Sequence, residues 1–428
     1  MKPSKTNHQQ DLILQQRLSD QLNPRHVLVI LSQLIDWEDL EKEFSSLFVE
    51  KAGAPAKPVR LITGLFMLQN MTNFSDEGAI QQWIESPYWQ FFCGYDYLQW
   101  KFPVNPSSLS RWRKRLGEKG MKKILACTLK TALNIGAVKA TSLKKVIVDT
   151  TVMPKNIAYP TDSKLYYRGI KTLSTMAKNN NIELRQTYTF LSKKASRKSS
   201  QYAHARQMKR ARKQRNKLKT YLGRMKRDIE RKIYGNEILK AIFDSTLEII
   251  GKLLIQEKND KKKIYSIHEP AVECISKGKV HKKYEFGCKA SIVLTHKEGF
   301  ILGLEALHGN PYDGHTLEMA LKNAEKISKK PIEKVFVDKG YRGHGVVGRQ
   351  IFLSGQKKGV TPWIKSQIKR RSAIEPNIGH MKSDGKLGKN YLKGVIGDKL
   401  NALLCGIGHN LRMITRKIYH SELQQISY

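Results

Sequence analysis

The chain has 428 residues, of which 40% are apolar, so it is long enough for two or three domains with a sizeable core. Its 77 lysines and arginines against 37 acidic residues give a formal charge of +40, which favours a polyanionic partner such as DNA, RNA or an acidic membrane surface. Five scattered cysteines without a Cys-x-x-Cys pair argue against a disulfide framework and a structural zinc site. No run of about 18 apolar residues occurs, so we expect no membrane span and a soluble, cytoplasmic protein.

The first part of the chain predicts helices. Residues 1–57 are polar and mixed, with one amphipathic stretch around Val27 to Phe48, and we interpret them as a helical arm. From residue 58 apolar side chains recur every three or four positions, and Ser75-Asp76-Glu77 is typical of the start of a second helix that runs through Trp83. We therefore predict a helical N-terminal domain over residues 58–140.

A third helix in this domain is predicted from Ser107 or Ser108 to Gly117, with a strongly basic surface. The basic residues on it are Arg111, Arg113, Lys114 and Arg115. A short basic helix that follows two others favours a DNA-recognition element of the helix-turn-helix type. The alternative is an ordinary solvated face on a helix packed by Trp112.

Residues from about 161 to 258 predict a basic helical insertion. Basic residues far outnumber acidic ones in its central part, a composition typical of a solvated tail. Apolar residues nevertheless recur at three- and four-residue steps from Met208 to Ile233, and a second apolar helix follows the break at Tyr234-Gly235-Asn236. A helical hairpin explains both patterns, because it buries the apolar stripe and turns a basic face to DNA. We expect phosphate contacts from Arg210, Arg212, Lys213 and Arg215.

Strand patterns follow the insertion. Runs at Tyr284 to Thr295 and Phe300 to His308, joined by Lys297-Glu298-Gly299, predict a hairpin. A helix is predicted over Thr316 to Ile327, and an apolar helix over Leu400 to Ile418. The predicted fold class is α/β, with one domain over residues 141–428 that the helical insertion interrupts.

Two apolar runs in this domain end in an acid. Val146-Ile147-Val148 precedes Asp149, and Val335-Phe336-Val337 precedes Asp338. Such runs predict strands buried on both faces, and a carboxylate just past the end of such a strand stands at the sheet rim, where α/β folds bind ligands. An aspartate after a strand is also a common turn or capping residue. Together with Glu375 further on, the two aspartates favour a metal-dependent phosphoryl-transfer site.

Glu375 lies in the pattern Arg371-x3-Glu375-x6-Lys382. On one continuous helix these three side chains fall within about 40° of one another. Pro376 predicts instead that the helix begins near Glu375 and leaves Arg371 on the incoming loop, because proline disfavours helical geometry in the residue before it. Glu375 and Lys382 still share a face, where a plain surface ion pair is the alternative to a functional role.

Four segments carry a resemblance to a known family: KKVIVDTTV, KGKVHKKYEFGCKASI, EKVFVDKGYRGH and RRSAIEPNIGHMK. In kind and order they resemble the DDE transposases of bacterial insertion sequences, specifically insertion-sequence family five. Two earlier segments, VRLITGLFMLQNMTNFSDEGAIQQWIESPYWQFFCG and PSSLSRWRKRLG, extend the resemblance, which runs from about Pro58 to Arg416. It implies an RNase H-like catalytic core. The family signature has a tyrosine three residues before its arginine, and this chain has Ile368 there.

The resemblance also implies residue roles. The metal-binding and catalytic triad falls on Asp149, Asp338 and Glu375, which are expected to hold two Mg²⁺ ions, with Mn²⁺ as a substitute. Arg371 and Lys382 are expected to bind the phosphate backbone beside them. The implied activity is binding of an element's terminal repeats in double-stranded DNA, hydrolysis at the element ends, and joining of the released 3′-OH ends to target DNA. The N-terminal domain of this family binds transposon ends or pairs protomers, which predicts a homodimer in the DNA complex.

Two alternatives stay open on the residues alone. One is a catalytically silent DNA-binding protein descended from a transposase, against which the intact acids count. The other is an RNase H-type nuclease of another class, such as a resolvase or an RNA-processing enzyme. The helix-turn-helix-like start and the basic insertion favour transposition over it.

Overall fold

The computed structural model describes residues 16–47, 56–276 and 283–426, with side chains up to residue 421. The chain divides into two compact units, which we call unit 1 (Met1–Pro154 with Lys289–Tyr428) and unit 2 (Lys155–Cys288). Phe48, the end of the predicted amphipathic stretch, lies outside the described residues. Among the helices of the described ranges, none is long and apolar enough to span a membrane.

Unit 1 begins with helices, as the sequence predicts. The helices described before its first strand are α1 (Leu18–Gln21), α2 (Val27–Leu34), α3 (Trp37–Ser45), α4 (Val59–Thr72), α5 (Asp76–Glu85), α6 (Pro87–Phe92), α7 (Pro106–Asn134) and a 3₁₀ helix (Ala140–Lys144). Helix α4 is buried along almost its whole length, which explains its dense apolar pattern. Ser75 begins α5 as predicted, because its side chain accepts a hydrogen bond from the Gly78 N–H at 3.0 Å.

Helix α7 consists of the predicted basic helix and a second helical stretch, separated by a kink at Gly117. Asn105 caps its start by accepting a hydrogen bond from the Ser107 N–H at 3.0 Å. Gly117 adopts a φ of 60°, which breaks the helical geometry, yet the helix resumes and reaches Asn134. Glycine takes this φ at little cost, and the buried face continues beyond it at Met121 and Ile124. The first helical stretch therefore ends at Gly117 as predicted, and a second stretch, which the sequence did not predict, continues across the kink to Asn134.

The strands are β1 (Lys145–Pro154), β2 (Glu273–Ile275), β3 (Glu285–Thr295), β4 (Ile301–Leu307), β5 (Lys334–Val337) and β6 (Gln350–Leu353). In unit 1 their order is β4-β3-β1-β5-β6. Strands β3 and β4 pair antiparallel, which confirms the predicted hairpin, whereas β1, β5 and β6 run parallel. The apolar runs of β1 and β5 are buried on both faces, as their composition predicts.

The remaining helices of unit 1 are α12 (Asp313–Ser328), α13 (Pro362–Arg370), α14 (Ile374–Ser383) and α15 (Gly394–Ile426), with 3₁₀ helices at Lys339–Tyr341 and Arg371–Ala373. Polar side chains of α15 tie the sheet to the N-terminal helices. Asn410 binds the backbone N–H and C=O of Ile301 at 2.8 and 3.0 Å, and Arg412 donates to the carbonyl of Asn70 at 2.9 Å. Gly408 lets α15 approach α4 closely, because a Cβ there would overlap the Asn70 carbonyl.

Unit 2 is mainly helical. Its helices are α8 (Asp162–Asn179), α9 (Thr189–His204), α10 (Met208–Lys232) and α11 (Glu237–Ile255). The predicted hairpin is present, with Gly235 at a φ of 82° between α10 and α11. Their apolar stripes meet in one cluster that includes Leu222, Ile229 and Phe243. The sequence patterns did not separate α8 and α9, whose apolar positions are fewer.

Candidate active site

The two predicted aspartates lie on neighbouring parallel strands. The β1–β5 register pairs Ile147 with Phe336. Continued by two residues, it sets Asp149 opposite Asp338, with the two backbones at about the 4.8 Å that separates neighbouring strands. Asp338 follows the end of β5, as predicted. Asp149 lies inside β1, which continues to Pro154, so its predicted position past a strand end was wrong. The β1–β5 register nevertheless places both acids at the same edge of the parallel strands.

Both aspartates also bind nearby backbone. Asp338 accepts a hydrogen bond from the Gly340 N–H at 2.8 Å and so caps the following 3₁₀ helix. Asp149 accepts one from the Thr150 N–H at 2.7 Å. The capping interpretation of Asp338 is therefore confirmed, and it is compatible with a second role because a carboxylate offers about four acceptor sites.

The guanidinium of Arg371 lies between Asp149 and Glu375 and pairs with both carboxylates. Its Nη1 lies 3.4 Å from Asp149 Oδ2, and its Nη2 lies 3.6 Å from Glu375 Oε1. The Arg371 side chain is 15% exposed and that of Glu375 is 68% exposed, so the guanidinium is fixed while the glutamate faces solvent. Helix α14 begins one residue before Glu375, close to the prediction. The predicted loop position of Arg371 was wrong, because a 3₁₀ turn joins α13 to α14.

A buried tyrosine lies beneath the acids. Tyr341 is 0% exposed, and its hydroxyl has no hydrogen-bond partner among the described residues. Burial, with the negative charges of Asp149, Asp313 and Asp338, raises the pKa of Tyr341 far above its ordinary value. The phenol therefore keeps its proton and adds no further negative charge beside the acids.

Tyr341 and Asp313 are the residues of this site that the sequence patterns did not single out. Asp313 is the first residue of α12 and pairs with Lys289 Nζ at 3.0 Å. An aspartate at a helix start is so common that it carries little signal. Tyr341 stands three residues after Asp338, inside a segment already noted, but its burial depends on packing that no local pattern reveals.

The acidic side chains fit a divalent metal ion. Asp149, Asp338 and Glu375 offer carboxylate oxygens, which are the ligands that Mg²⁺ prefers. The guanidinium of Arg371 already places positive charge between Asp149 and Glu375, which shows that this position attracts a cation. The kinds of side chain suit a metal-dependent phosphoryl-transfer site, but in this structure Asp149, Asp338 and Glu375 are not among the groups of described residues whose ligand atoms lie within 4.8 Å of one another.

Lys382 lies at the other end of α14 from Glu375. The two are seven residues apart, which is about 10 Å along the helix axis, and they share a face. Lys382 lines a cleft together with residues of α4, α5 and α7. Two basic residues were predicted to accompany the three acids. Arg371 directly contacts Asp149 and Glu375, whereas Lys382 lines the neighbouring cleft.

The basic residues of α7 divide into two groups. Arg111, Lys114 and Arg115 are exposed, as the prediction requires. Arg113 is 4% exposed and forms a bidentate ion pair with Asp76, so its predicted surface position was wrong. The physical reason is the helical register, which turns Arg113 inward towards α4 and α5. Burial alone would raise the pKa of Asp76, but the hydrogen bonds and charge of Arg113 hold it below its ordinary value.

The basic residues of α10 lie at the surface of unit 2. Arg210, Arg212 and Lys213 are exposed, while Arg215 is half-buried with its Nη1 3.6 Å from Asp162. Arg212 and Lys213 line a shallow groove along the helix, whose other basic residues are Lys209, Lys217 and Arg224. Such a row of cations matches the charge of a phosphate backbone.

Comparison with known proteins gives matches in both halves of the chain. A family described as "Transposase domain (DUF772)" matches residues 16–115, and one described as "Transposase DDE domain" matches residues 258–411. Asp338 and Glu375 lie within the second range, whereas Asp149 lies outside both. The "Uncharacterized protein ORF8 in nfe locus" of Rhizobium meliloti is 42% identical over 207 residues, which is 48% of this chain and 100% of that protein. No solved structure matches the chain.

Proposed function

Because the chain belongs to the DDE transposases of insertion sequences, we propose that it binds the terminal repeats of its element, cleaves the element ends and joins the 3′-OH ends to target DNA. The observation that carries the proposal is the arrangement of the acids. Asp149 and Asp338 stand side by side on parallel strands, and Arg371 links Asp149 to Glu375. Proteins of this family typically use a divalent metal ion, which such a group of carboxylates can hold.

In this proposal Asp149, Asp338 and Glu375 hold two Mg²⁺ ions, for which Mn²⁺ substitutes. Bound divalent ions supply the positive charge that activates an attacking oxygen and stabilises the leaving oxygen of a phosphodiester. Arg371 adds a fixed cation at the same place, which matters because three carboxylates alone would repel the phosphate. Tyr341 keeps its proton and so adds no negative charge to the site.

We interpret the sheet of unit 1 as an RNase H-like core. Its order, with an antiparallel hairpin on one side of β1 and two parallel strands on the other, supports this interpretation. Residues 141–428 then form the catalytic domain with a basic helical insertion at about 161–258, and residues 58–140 bind DNA or pair protomers. The resemblance to insertion-sequence family five supports the same division.

The proposed substrate is double-stranded DNA bound by a homodimer. Exposed Arg111, Lys114 and Arg115 on α7 and the basic groove on α10 support contacts to phosphates. Contacts of this kind weaken with salt and add little sequence preference. Selection of the terminal repeats is therefore assigned to the N-terminal helices rather than to α10.

The proposal is tested with the variant Asp338→Ala on duplexes that carry the element ends. We expect strand cleavage in Mg²⁺ or Mn²⁺ to fall by about 10³-fold or more, since a group acting directly in the chemistry is lost. Binding of the same duplexes should stay within about threefold of wild type, because no phosphate-binding cation is removed. The matched control is Asp244→Ala, an exposed aspartate on α11, which should cleave at the wild-type rate.

Unchanged cleavage by Asp338→Ala would remove this residue from the site. A wild-type protein that binds the ends but cleaves no DNA in either metal would favour the catalytically silent alternative. Preferred cleavage of an RNA–DNA hybrid over element-end duplexes would favour a nuclease of another class.

A further inference from the structure

The guanidinium of Arg371 lies between two of the three acids, at the position that a shared metal ion needs. Its Nη1 is 3.4 Å from Asp149 Oδ2, and its Nη2 is 3.6 Å from Glu375 Oε1. The ligand atoms of Asp149, Asp338 and Glu375 do not all lie within 4.8 Å of one another. Oxygens that bind one Mg²⁺ ion at about 2.1 Å lie no further apart than about 4.2 Å. In this geometry the carboxylates therefore bind the arginine and are not gathered around a common point.

Arg371 and a divalent ion compete for the same oxygens. The Arg371 side chain is mostly buried, so water screens its charge little, and an ion bound to both carboxylates would meet a like charge close by. Both contacts of the guanidinium are also longer than the about 2.7–2.9 Å of a strong charge-assisted hydrogen bond. A metal ion therefore binds well only after Arg371 has released a carboxylate, and the present contacts are weak enough to be exchanged.

The segment that carries Arg371 is packed more loosely than the helix that follows it. Helix α13 and the 3₁₀ turn Arg371–Ala373 contain no fully buried residue. Helix α14, which carries Glu375, is anchored by Ile374 and Met381, both 0% exposed. The side chain of Glu375 itself extends into solvent. Arg371 and Glu375 can thus separate by rotation of their side chains, without unpacking the core that holds α14.

The neighbouring Arg370 shows what an anchoring arginine does in this segment. Its Nε and Nη2 donate to the backbone carbonyls of His296 and Lys297 at 3.2 and 2.8 Å, which ties the end of α13 to the β3–β4 turn. Those acceptors are neutral and belong to the backbone. Arg371 instead contacts two carboxylates of the candidate site, so its position changes the charge that those carboxylates present.

A DNA phosphate offers Arg371 another partner. In the proposed function a phosphate of the bound strand lies at the carboxylates. Its oxygens can accept hydrogen bonds from both terminal nitrogens of a guanidinium, a geometry that favours arginine. A phosphate that takes the guanidinium in this way frees Asp149 and Glu375, while the positive charge of Arg371 stays at the site.

We propose that Arg371 holds the carboxylate site closed to metal ions until a DNA phosphate takes its guanidinium. The inference rests on the proposed function, because it takes the carboxylates as the metal site and DNA as the substrate. DNA and metal then bind cooperatively, and each raises the affinity for the other by the same factor. The protein without DNA holds metal poorly, which confines metal-dependent cleavage to strands that are already in place.

The first experiment titrates the full-length protein with Mn²⁺ in the absence of DNA and follows the free ion by electron paramagnetic resonance. Arg371→Gln should tighten Mn²⁺ binding by about tenfold, because it removes the competing charge. Arg371→Lys should give an intermediate affinity, since one ammonium keeps the charge but cannot span both carboxylates. The matched control is Lys369→Gln, which removes one positive charge from an exposed side chain two residues earlier and should leave the affinity unchanged. Asp338→Ala should lose this binding, which identifies the site.

The second experiment repeats the titration with a duplex that already ends at the cleavage point, so that no hydrolysis occurs, and subtracts the Mn²⁺ bound by the duplex alone. The duplex should raise the Mn²⁺ affinity of the wild type by about tenfold and that of Arg371→Gln hardly at all, because the variant has no guanidinium to exchange.

A gain of metal affinity cannot come from misfolding, so the expected result separates Arg371 from a residue that only supports the fold. Equal or weaker Mn²⁺ binding by Arg371→Gln, an equal gain in Lys369→Gln, or a wild-type affinity that the duplex does not change would each overturn the proposal. If such a result accompanies Asp338-dependent cleavage of element ends, this inference fails and the proposed function stands. If Asp338→Ala neither loses Mn²⁺ nor cleaves more slowly than the wild type, both fail together.

Discussion

Units 1 and 2 use charge in different ways. In unit 1 charged side chains of α7 and of the candidate site form specific ion pairs, such as buried Arg113 with Asp76 and Arg371 with Asp149. In unit 2 the helices bury an apolar cluster and expose their basic residues, although one buried pair, Lys155 with Glu269, also occurs there. A paired, desolvated charge acts through one geometry, whereas exposed charges act by number and can replace one another. Substitutions in unit 1 should therefore have large, residue-specific effects, and those on α10 small, cumulative ones.

The largest effect on stability is expected from Arg113→Ala. It leaves the half-buried Asp76 without its cationic partner and with the hydrogen bond from Gln69, so the free energy of unfolding of unit 1 should fall by about 3 kcal/mol. The control, Arg111→Ala on the exposed side of the same helix, should change it by less than about 0.5 kcal/mol. Tryptophan fluorescence in urea isolates unit 1, which contains all six tryptophans of the chain: Trp37, Trp83, Trp89, Trp100, Trp112 and Trp363.

If Arg113→Ala were as stable as Arg111→Ala but bound DNA more weakly, Arg113 would be a surface DNA contact, as its sequence context predicts. The contrast between the units would then not extend to α7.

The case of Arg113 shows what sequence reasoning achieves here and where it ends. Apolar spacing predicted α4 and the α10–α11 hairpin, the Ser75-Asp76-Glu77 start signal predicted α5, and two strand-like runs joined at Gly299 predicted the β3–β4 hairpin. Within α7, the same reasoning located a basic helix but misjudged which basic residue turns inward. That choice depends on Asp76, which lies far from Arg113 in sequence and meets it only through packing.

For the acids of the candidate site, too, the sequence predicted local structure but not the contacts between distant segments. Two apolar runs ending in aspartate predicted two buried strands, and the β1–β5 register shows that these strands are neighbours with their aspartates side by side. The length of β1 beyond Asp149 and the burial of Tyr341 were not predictable, since both arise from contacts between distant segments. Pro376 did predict the start of α14, because its restriction on the backbone is local.

A smaller effect, of opposite sign, is expected from Tyr341→Phe. The hydroxyl of Tyr341 is buried without a partner among the described residues, so its removal should raise the free energy of unfolding of unit 1 by about 1 kcal/mol. Strand cleavage should fall at the same time if this hydroxyl positions the aspartates. Urea unfolding followed by tryptophan fluorescence and a cleavage assay on one preparation separate the two effects. A loss of stability would mean that the hydroxyl has a partner in solution, and unchanged cleavage would reduce Tyr341 to a packing residue.

The smallest effects are expected on α10, from Arg212→Ala and Lys213→Ala. Both side chains are exposed, so each change should alter stability by less than about 0.5 kcal/mol. If each cation neutralises one phosphate, each variant should reduce the slope of log affinity against log salt concentration by about 0.9, and the double variant by about twice that. The loss should be equal on element ends and on unrelated DNA, because phosphates carry no sequence information. The control is Lys232→Ala at the end of the same helix, where Lys232 already pairs with Asp228 at 3.0 Å, so the salt slope should hardly change. A loss confined to element ends would instead assign base recognition to α10, and unit 2 would then share the residue-specific behaviour of unit 1.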